Sequence, residues 1–201
     1  MIFENLYEYD GKMRNAHGIF CGVDEAGRGP LAGPVATAAV ILAPDTRFDF
    51  LNDSKKVTEK RRELLYDEII REAVAWHVEL VDNRMIDEIN ILQATMYGMT
   101  KCIEAVAGQG AVFAVIDGNR TPETEIPCEA VVKGDATSAS IAAASILAKV
   151  TRDRFMTKLA EEYPGYGFEV HKGYPTKAHY EAIRNLGVTP YHRMTFLKKM
   201  H

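Results

Sequence analysis

The stretch IFCGVDEAGRGPLAGPVATAAVIL, residues 19–42, holds two short apolar runs separated by a glycine- and proline-rich turn that opens on two acids. Ile19–Asp24 stays apolar until Asp24 and then meets Gly27 and Gly29, which predicts a strand feeding a tight turn. Val35–Leu42 is rich in β-branched residues and bounded by Pro34 and Pro44, which predicts a second strand. A glycine pair after a strand also begins dinucleotide-binding turns, but such a turn opens a helix. Here Pro30 and Pro34 intervene and a strand follows, so that reading is set aside.

Working outward, Thr58–Glu72 has a helix-start signal at Thr58 and helical apolar spacing at Leu64, Leu65, Ile69 and Ile70. Val74–Val81 alternates as a third strand, and Ile91–Ala107 recurs as a core helix. Ala111–Ile116 reads as a buried strand ending at the turn Asp117-Gly118-Asn119. Glu129–Lys133 is a fifth strand candidate, ending at Gly134-Asp135. Ser138–Leu159 predicts a long helix whose Ala- and Ser-rich first half would let it lie close against a sheet. Thr176–Asn185 predicts a last helix, followed by a polar tail carrying aromatics. This order implies an α/β fold built on a mixed sheet rather than a run of βαβ units, in one domain spanning residues 1–201.

Acids recur where predicted strands end: Asp24 and Glu25, then Asp117, then Asp135, each beside glycine. Asp-Gly pairs are often simple turn residues. Carboxylates converging from neighbouring strands, however, would repel one another unless cations bind. Mg²⁺ prefers oxygen ligands and is held by a few carboxylates together with substrate phosphate. Two such ions about 3.5–4 Å apart activate a water and stabilise the leaving oxygen in an in-line displacement. Four carboxylates would balance two such ions.

The run Asp24-Glu25-Ala26-Gly27-Arg28-Gly29-Pro30-Leu31-Ala32-Gly33-Pro34 resembles that of type 2 ribonucleases H. Further matching segments follow in the family's order: Asn52–Lys56, Ile89–Leu92, Asp117–Arg120, Lys133–Asp135, Ser140–Lys149 with Arg152–Arg154, and His171–Thr176. The resemblance spans Ile19 to Phe196. It implies a ribonuclease H-like mixed sheet flanked by helices, with a helical C-terminal part over about residues 160–201 that helps bind substrate. It implies an endoribonuclease that hydrolyses the RNA strand of RNA–DNA hybrids and cuts 5′ of single ribonucleotides embedded in duplex DNA. The expected cofactor is Mg²⁺ or Mn²⁺, two ions during catalysis, with products bearing 5′-phosphate and 3′-hydroxyl. The family's catalytic, metal-binding carboxylates fall on Asp24, Glu25, Asp117 and Asp135, and its ribose-sensing elements on Gly27-Arg28-Gly29 and Tyr174. The alternatives are another metal-dependent nuclease of the same fold and a non-catalytic nucleic-acid-binding module.

Telling RNA from DNA at one position means detecting a 2′-hydroxyl. Glycine-flanked backbone can approach a sugar closely because no Cβ intervenes. Arg28 is expected either to bind the adjacent phosphate or to orient the loop through backbone carbonyls, and Tyr174 to lie under a sugar. Asn90, Asn119 and Lys149 are candidates for phosphate contact or buried hydrogen bonding, and His171 and His179 for phosphate contact. Asp153 is read as part of a helix-surface ion pair within Arg152-Asp153-Arg154.

The net charge of −4 runs against a basic nucleic-acid footprint, but an acidic active site offsets local basic runs such as Lys55–Arg62. Three widely spaced cysteines, Cys21, Cys102 and Cys128, read as buried free thiols. No apolar run is long enough to span a bilayer and no signal peptide is read, so a cytoplasmic monomer without membrane contact is expected. The tail Arg193–Lys199 lacks the glutamine of a sliding-clamp peptide, so no such partner is expected.

Overall fold

The computed structural model describes residues 1–198. Helix α1 (Glu4–His17) precedes β1 (Phe20–Ala26) and β2 (Val35–Ile41). Then come α2 (Glu59–Glu72), β3 (Ala75–Val81), α3 (Asn83–Ala107), β4 (Phe113–Asp117) and β5 (Cys128–Val131). The chain closes with α4 (Ala139–Glu162), α5 (Phe168–His171) and α6 (Lys177–Leu186). The sheet is mixed, as expected, in the order β3-β2-β1-β4-β5. β1, β2 and β3 pair antiparallel, whereas β1–β4 and β4–β5 pair parallel.

The alternation of side chains along a strand divides the core between the two faces of the sheet. Ala36, Ala38 and Val40 of β2 pack with Ala142, Ala143, Ile146 and Leu147 of α4. Cys21 and Val23 of β1, Ala39 and Ile41 of β2, and Ala114 and Ile116 of β4 pack with Met99, Cys102 and Ile103 of α3. Burial on both faces explains why β2 is apolar at every position except Thr37. The small residues of α4 bring it very close to β1. A Cβ on Gly22 would lie 2.2 Å from the backbone of Ser140 and Ile141.

Four features depart from expectation. β1 runs on to Ala26, so Asp24 and Glu25 lie within it rather than beyond it. α1 was not anticipated: its buried face is only Leu6, Tyr7, Asp10 and Met13, on an otherwise polar sequence. Its Asp10 accepts bonds from the Ser138 and Ser140 hydroxyls and from the Ser140 N–H, capping the start of α4. α3 starts at Asn83, with Asp82 as its cap, and kinks at Asn90 (φ 68°, ψ 163°). The predicted helix from Ile91 is its second segment, and Asn90 caps that segment by accepting from Leu92 and Gln93. Finally, β5 ends at Val131, and Asp135 lies beyond it in a 3-10 turn, Gly134–Ala136.

Cys21 and Cys102 are buried free thiols, pushed up to about 12 by burial, while Cys128 is only partly buried. Among the described residues no helix is long and apolar enough to cross a membrane.

Candidate active site

The parallel register of β1 and β4 pairs Val23 with Ile116, so the next residues, Asp24 and Asp117, sit side by side at the same end of the sheet. Both follow the alternation onto the face covered by α4. The third acid arrives by a different route. Lys133 adopts a left-handed conformation (φ 59°) that turns the chain after β5 back over β4. The Gly134 N–H then donates to Asp117 Oδ1 at 2.6 Å, and Asp135 follows it in. Carboxylate oxygens of Asp24, Asp117 and Asp135 lie within 4.8 Å of one another.

Glu25 stands apart from that group. It follows Asp24 near the end of β1 and is not among the carboxylates that converge. Its carboxylate takes Arg28 Nη1 at 3.4 Å. Burial raises its pKa against the pull of Arg28, and the charge of Asp117 adds to the rise. Asp24 is held well above the ordinary carboxylate range by burial first and then by Glu25 and Asp117. Burial and the neighbouring Asp117 and Asp53 push Asp135 up to about 6.

Lys55 is the cation that faces these acids. Burial works to lower its pKa, but the charges of Asp135, Asp53, Asp24 and Asp117 outweigh that and raise it. Asp53 and Lys55 thus act on the site's charges; they fall in the matching segment Asn52–Lys56, but no role was read for either there. A single ammonium cannot neutralise three converging carboxylates. The group offers only oxygen donors, with no thiolate or imidazole, which fits a hard divalent ion such as Mg²⁺ or Mn²⁺.

Beyond Asp24 the chain enters the Gly27–Pro34 loop. Gly27 has φ +93°, and a Cβ there would lie 2.0 Å from Arg152 Nε, so the position excludes any side chain. Tyr174, on the turn before α6, sits beside this loop: its Cε1 is 3.8 Å from where a Gly29 Cβ would be. The Leu31 N–H donates to Gly173 O at 2.8 Å, tying loop and turn together.

Arg28 does not orient the loop through carbonyls; its side chain is about half exposed and, among the described residues, pairs only with Glu25. That work is done by two residues the sequence did not single out. Arg152 is buried and donates to Ala32 O, Pro34 O and Lys172 O. Arg193, placed by sequence in a polar tail, is buried and donates to Gly27 O, Arg28 O and Gly33 O. The run 152–154 is therefore not a surface ion pair. Asp153 is itself buried and takes Lys149 Nζ at 2.8 Å, while Arg154 pairs with Glu63.

His179 is fully buried rather than placed for phosphate contact. The Thr189 N–H donates to His192 Nδ1 (2.8 Å), which leaves the proton of a neutral His192 on Nε2. That nitrogen then donates to His179 Nε2 (3.2 Å), and His179 Nδ1 donates to Tyr174 O (3.0 Å). His171 stacks on His179 and bonds to Tyr166 O. The histidines thus support the Tyr174 turn from beneath.

A sequence model of the family described as ribonuclease HII matches residues 21–200. The ribonuclease HII of Ralstonia nicotianae is 54% identical over 185 residues, covering 91% of this chain and 78% of that protein. The ribonuclease H2 of Pyrococcus horikoshii OT3 superposes with a TM-score of 0.71 at 26% identity, over 90% of this chain and 96% of that one. The structure of the PCNA:RNase HII complex from Archaeoglobus fulgidus gives a TM-score of 0.72 at 25% identity, over 88% and 94%.

Proposed function

The chain belongs to the ribonuclease HII family and is a metal-dependent endoribonuclease, and on that premise we propose that it cuts RNA–DNA hybrids and, 5′ of a single ribonucleotide, duplex DNA. The observation that carries this reading is the juxtaposition of two arrangements. Three carboxylates converge within 4.8 Å, and only three residues along the chain from Asp24 begins a close-packed glycine loop with Tyr174 against it. Three residues of extended chain span at most about 10 Å, so a sugar at the loop lies next to a phosphate at the acids.

Asp24, Asp117 and Asp135 are the proposed ligands of Mg²⁺ or Mn²⁺, with Glu25, whose charge acts on Asp24, as the proposed fourth. When bound, a pair of such ions would supply the charge that lets water attack phosphorus and the 3′-oxygen depart. The chain's own residues do the rest. The Asp117 carboxylate is fixed by the Gly134 N–H, so it is oriented before substrate arrives. Lys55 offsets part of the acids' repulsion toward a phosphate. Gly27-Arg28-Gly29 presents backbone to the 2′-hydroxyl, exposed Arg28 is placed for a flanking phosphate, and the Tyr174 ring lies under the sugar. The C-terminal part, about residues 160–201, contributes through that turn to substrate binding, in a single domain acting as a cytoplasmic monomer.

The Archaeoglobus fulgidus protein is seen with PCNA. In this chain Arg193 and Leu197 are buried in the fold, and the segment lacks a clamp-binding glutamine, so no such partner is proposed. The reading is tested by mapping product ends on a duplex with one internal ribonucleotide. A single cut leaving 5′-phosphate on the ribonucleotide and 3′-hydroxyl on the preceding nucleotide is expected. A 2′,3′-cyclic phosphate, which arises when the 2′-hydroxyl itself attacks, would overturn it.

A further inference from the structure

Two guanidinium groups lie enclosed beneath the Gly27–Pro34 loop, and among the described residues neither pairs with a carboxylate. All six of their hydrogen bonds go to backbone carbonyls. Arg152 takes Ala32 O, Pro34 O and Lys172 O at 2.9–3.1 Å; Arg193 takes Gly27 O, Arg28 O and Gly33 O at 2.7–2.9 Å. Burying an unpaired cation is costly, and an apolar plug would hold a loop in place more cheaply. The arrangement therefore calls for a reason beyond packing.

The reason lies in peptide geometry. A trans peptide points its C=O and the following N–H in opposite directions, and the described chain holds no cis bond. Drawing the Gly27 and Arg28 carbonyls inward onto Arg193 turns the Arg28 and Gly29 N–H groups outward. Among the described residues neither N–H has a backbone acceptor. Arg152 meanwhile links the same loop to the carbonyl of Lys172, two residues before Tyr174, and its guanidinium carbon lies 5.7 Å from the centre of the Tyr174 ring.

We propose that Arg152 and Arg193 are positioning residues for sugar discrimination, holding the Arg28 and Gly29 amides and the Tyr174 ring at one fixed spacing. This rests on the proposed function. Neither guanidinium reaches substrate; both act through the backbone they hold. Arginine is required because its planar fork serves three carbonyls at once, whereas lysine offers a single nitrogen. Burial lowers Arg152 to about 10 and Arg193 to about 9, so both remain charged at neutral pH.

The test uses Arg193→Lys and Arg152→Lys in the full chain, with thermal unfolding as a check on the fold. The substrates are a duplex with one internal ribonucleotide and an RNA–DNA hybrid, with binding to an uncut all-DNA duplex measured in parallel. A loop displaced by an ångström should cost about 100-fold in kcat at the lone ribonucleotide. The hybrid, which offers a 2′-hydroxyl at every position, should lose roughly tenfold less, and all-DNA binding should stay within about twofold. Wild-type kcat at the lone ribonucleotide in either variant would overturn the proposal. So would an equal loss on both substrates and in binding, which is what general loosening produces. If one variant does not fold, the other decides by the same readouts. Failure of the wild type to cut the lone ribonucleotide would instead sink the functional reading beneath it.

Discussion

Asp135 is where the strain of the acidic cluster is easiest to measure. Its pKa, raised from 3.8 to about 6, means that the folded chain holds a proton which the unfolded chain has already released. This contribution to stability is fully present below about pH 4 and is lost as pH rises through about 6. At neutral pH the ionised group therefore costs the metal-free protein stability. Asp135→Asn should raise unfolding free energy in EDTA by about 1–3 kcal/mol while lowering turnover roughly 100-fold or more. Denaturant melts with and without Mg²⁺ check the first part, since the ion should stabilise the wild type far more than the variant. Near-normal hydrolysis by the variant would exclude Asp135 as a principal ligand. Tyr174→Ala should reduce cleavage at an isolated ribonucleotide by roughly 10- to 100-fold with little loss of duplex binding; equal loss of both would assign the ring to packing. Asp24 and Asp117 were legible because each interrupts an apolar run, and Asp135 because it follows glycine where such a run has just ended. Arg152 and Arg193 were not, because nothing in their neighbouring residues distinguishes a buried guanidinium from a solvated one. Their role exists only once the loop has folded over them.

At the scale of elements, the seam between β1 and α4 sets the position of Asp24. Gly22→Ala would drive a methyl group to 2.2 Å from the α4 backbone. It should destabilise the protein by about 3 kcal/mol, the upper part of the usual range for overpacking, and lower activity by shifting Asp24; a urea midpoint equal to wild type would contradict that packing. The turn that carries Tyr174 responds to acid through the His192–His179 pair, both lowered to about 4 by burial. In the unfolded chain they take protons near 6.5 and in the fold only near 4, so stability falls as pH drops between those values. The effect is on the order of 3 kcal/mol for each histidine. The raised carboxylates work in the opposite direction, so the clean readout is a difference. His192→Asn should lose less stability between pH 7 and pH 5 than wild type does, and an unchanged loss would place the acid sensitivity elsewhere. The strands and the Ala-rich α4 were legible because a two-sided sheet demands long apolar runs and close packing demands small residues. α1 escaped notice because four buried positions on a polar helix give little periodic signal. The first segment of α3 escaped because Asn90 breaks its register.

For the whole molecule, the mixed sheet gathers the C-terminal ends of β1 and β4 at one end of the sheet, and the chain beyond β5 and α4 returns to that same end. The acids, the Gly27–Pro34 loop and the Tyr174 turn therefore come from distant parts of the sequence onto a single surface. A net charge of −4 is compatible with a nucleic-acid substrate because that excess is no larger than the four carboxylates placed where divalent ions are expected. That the sheet is mixed could be inferred from the order of the elements. The convergence of residues 27–34, 152, 172–174 and 193 could not, since it depends on tertiary hydrogen bonds to carbonyls that every residue carries. Sugar-specific, metal-dependent cleavage is tested with three end-labelled duplexes: all-DNA, DNA with one internal ribonucleotide, and an RNA–DNA hybrid. Each is incubated with the purified chain and Mg²⁺ or Mn²⁺, or with EDTA. One cut 5′ of the lone ribonucleotide and cutting throughout the hybrid are expected, with no cutting of all-DNA or in EDTA. Cutting of the hybrid with the lone ribonucleotide left intact would contradict the proposed function.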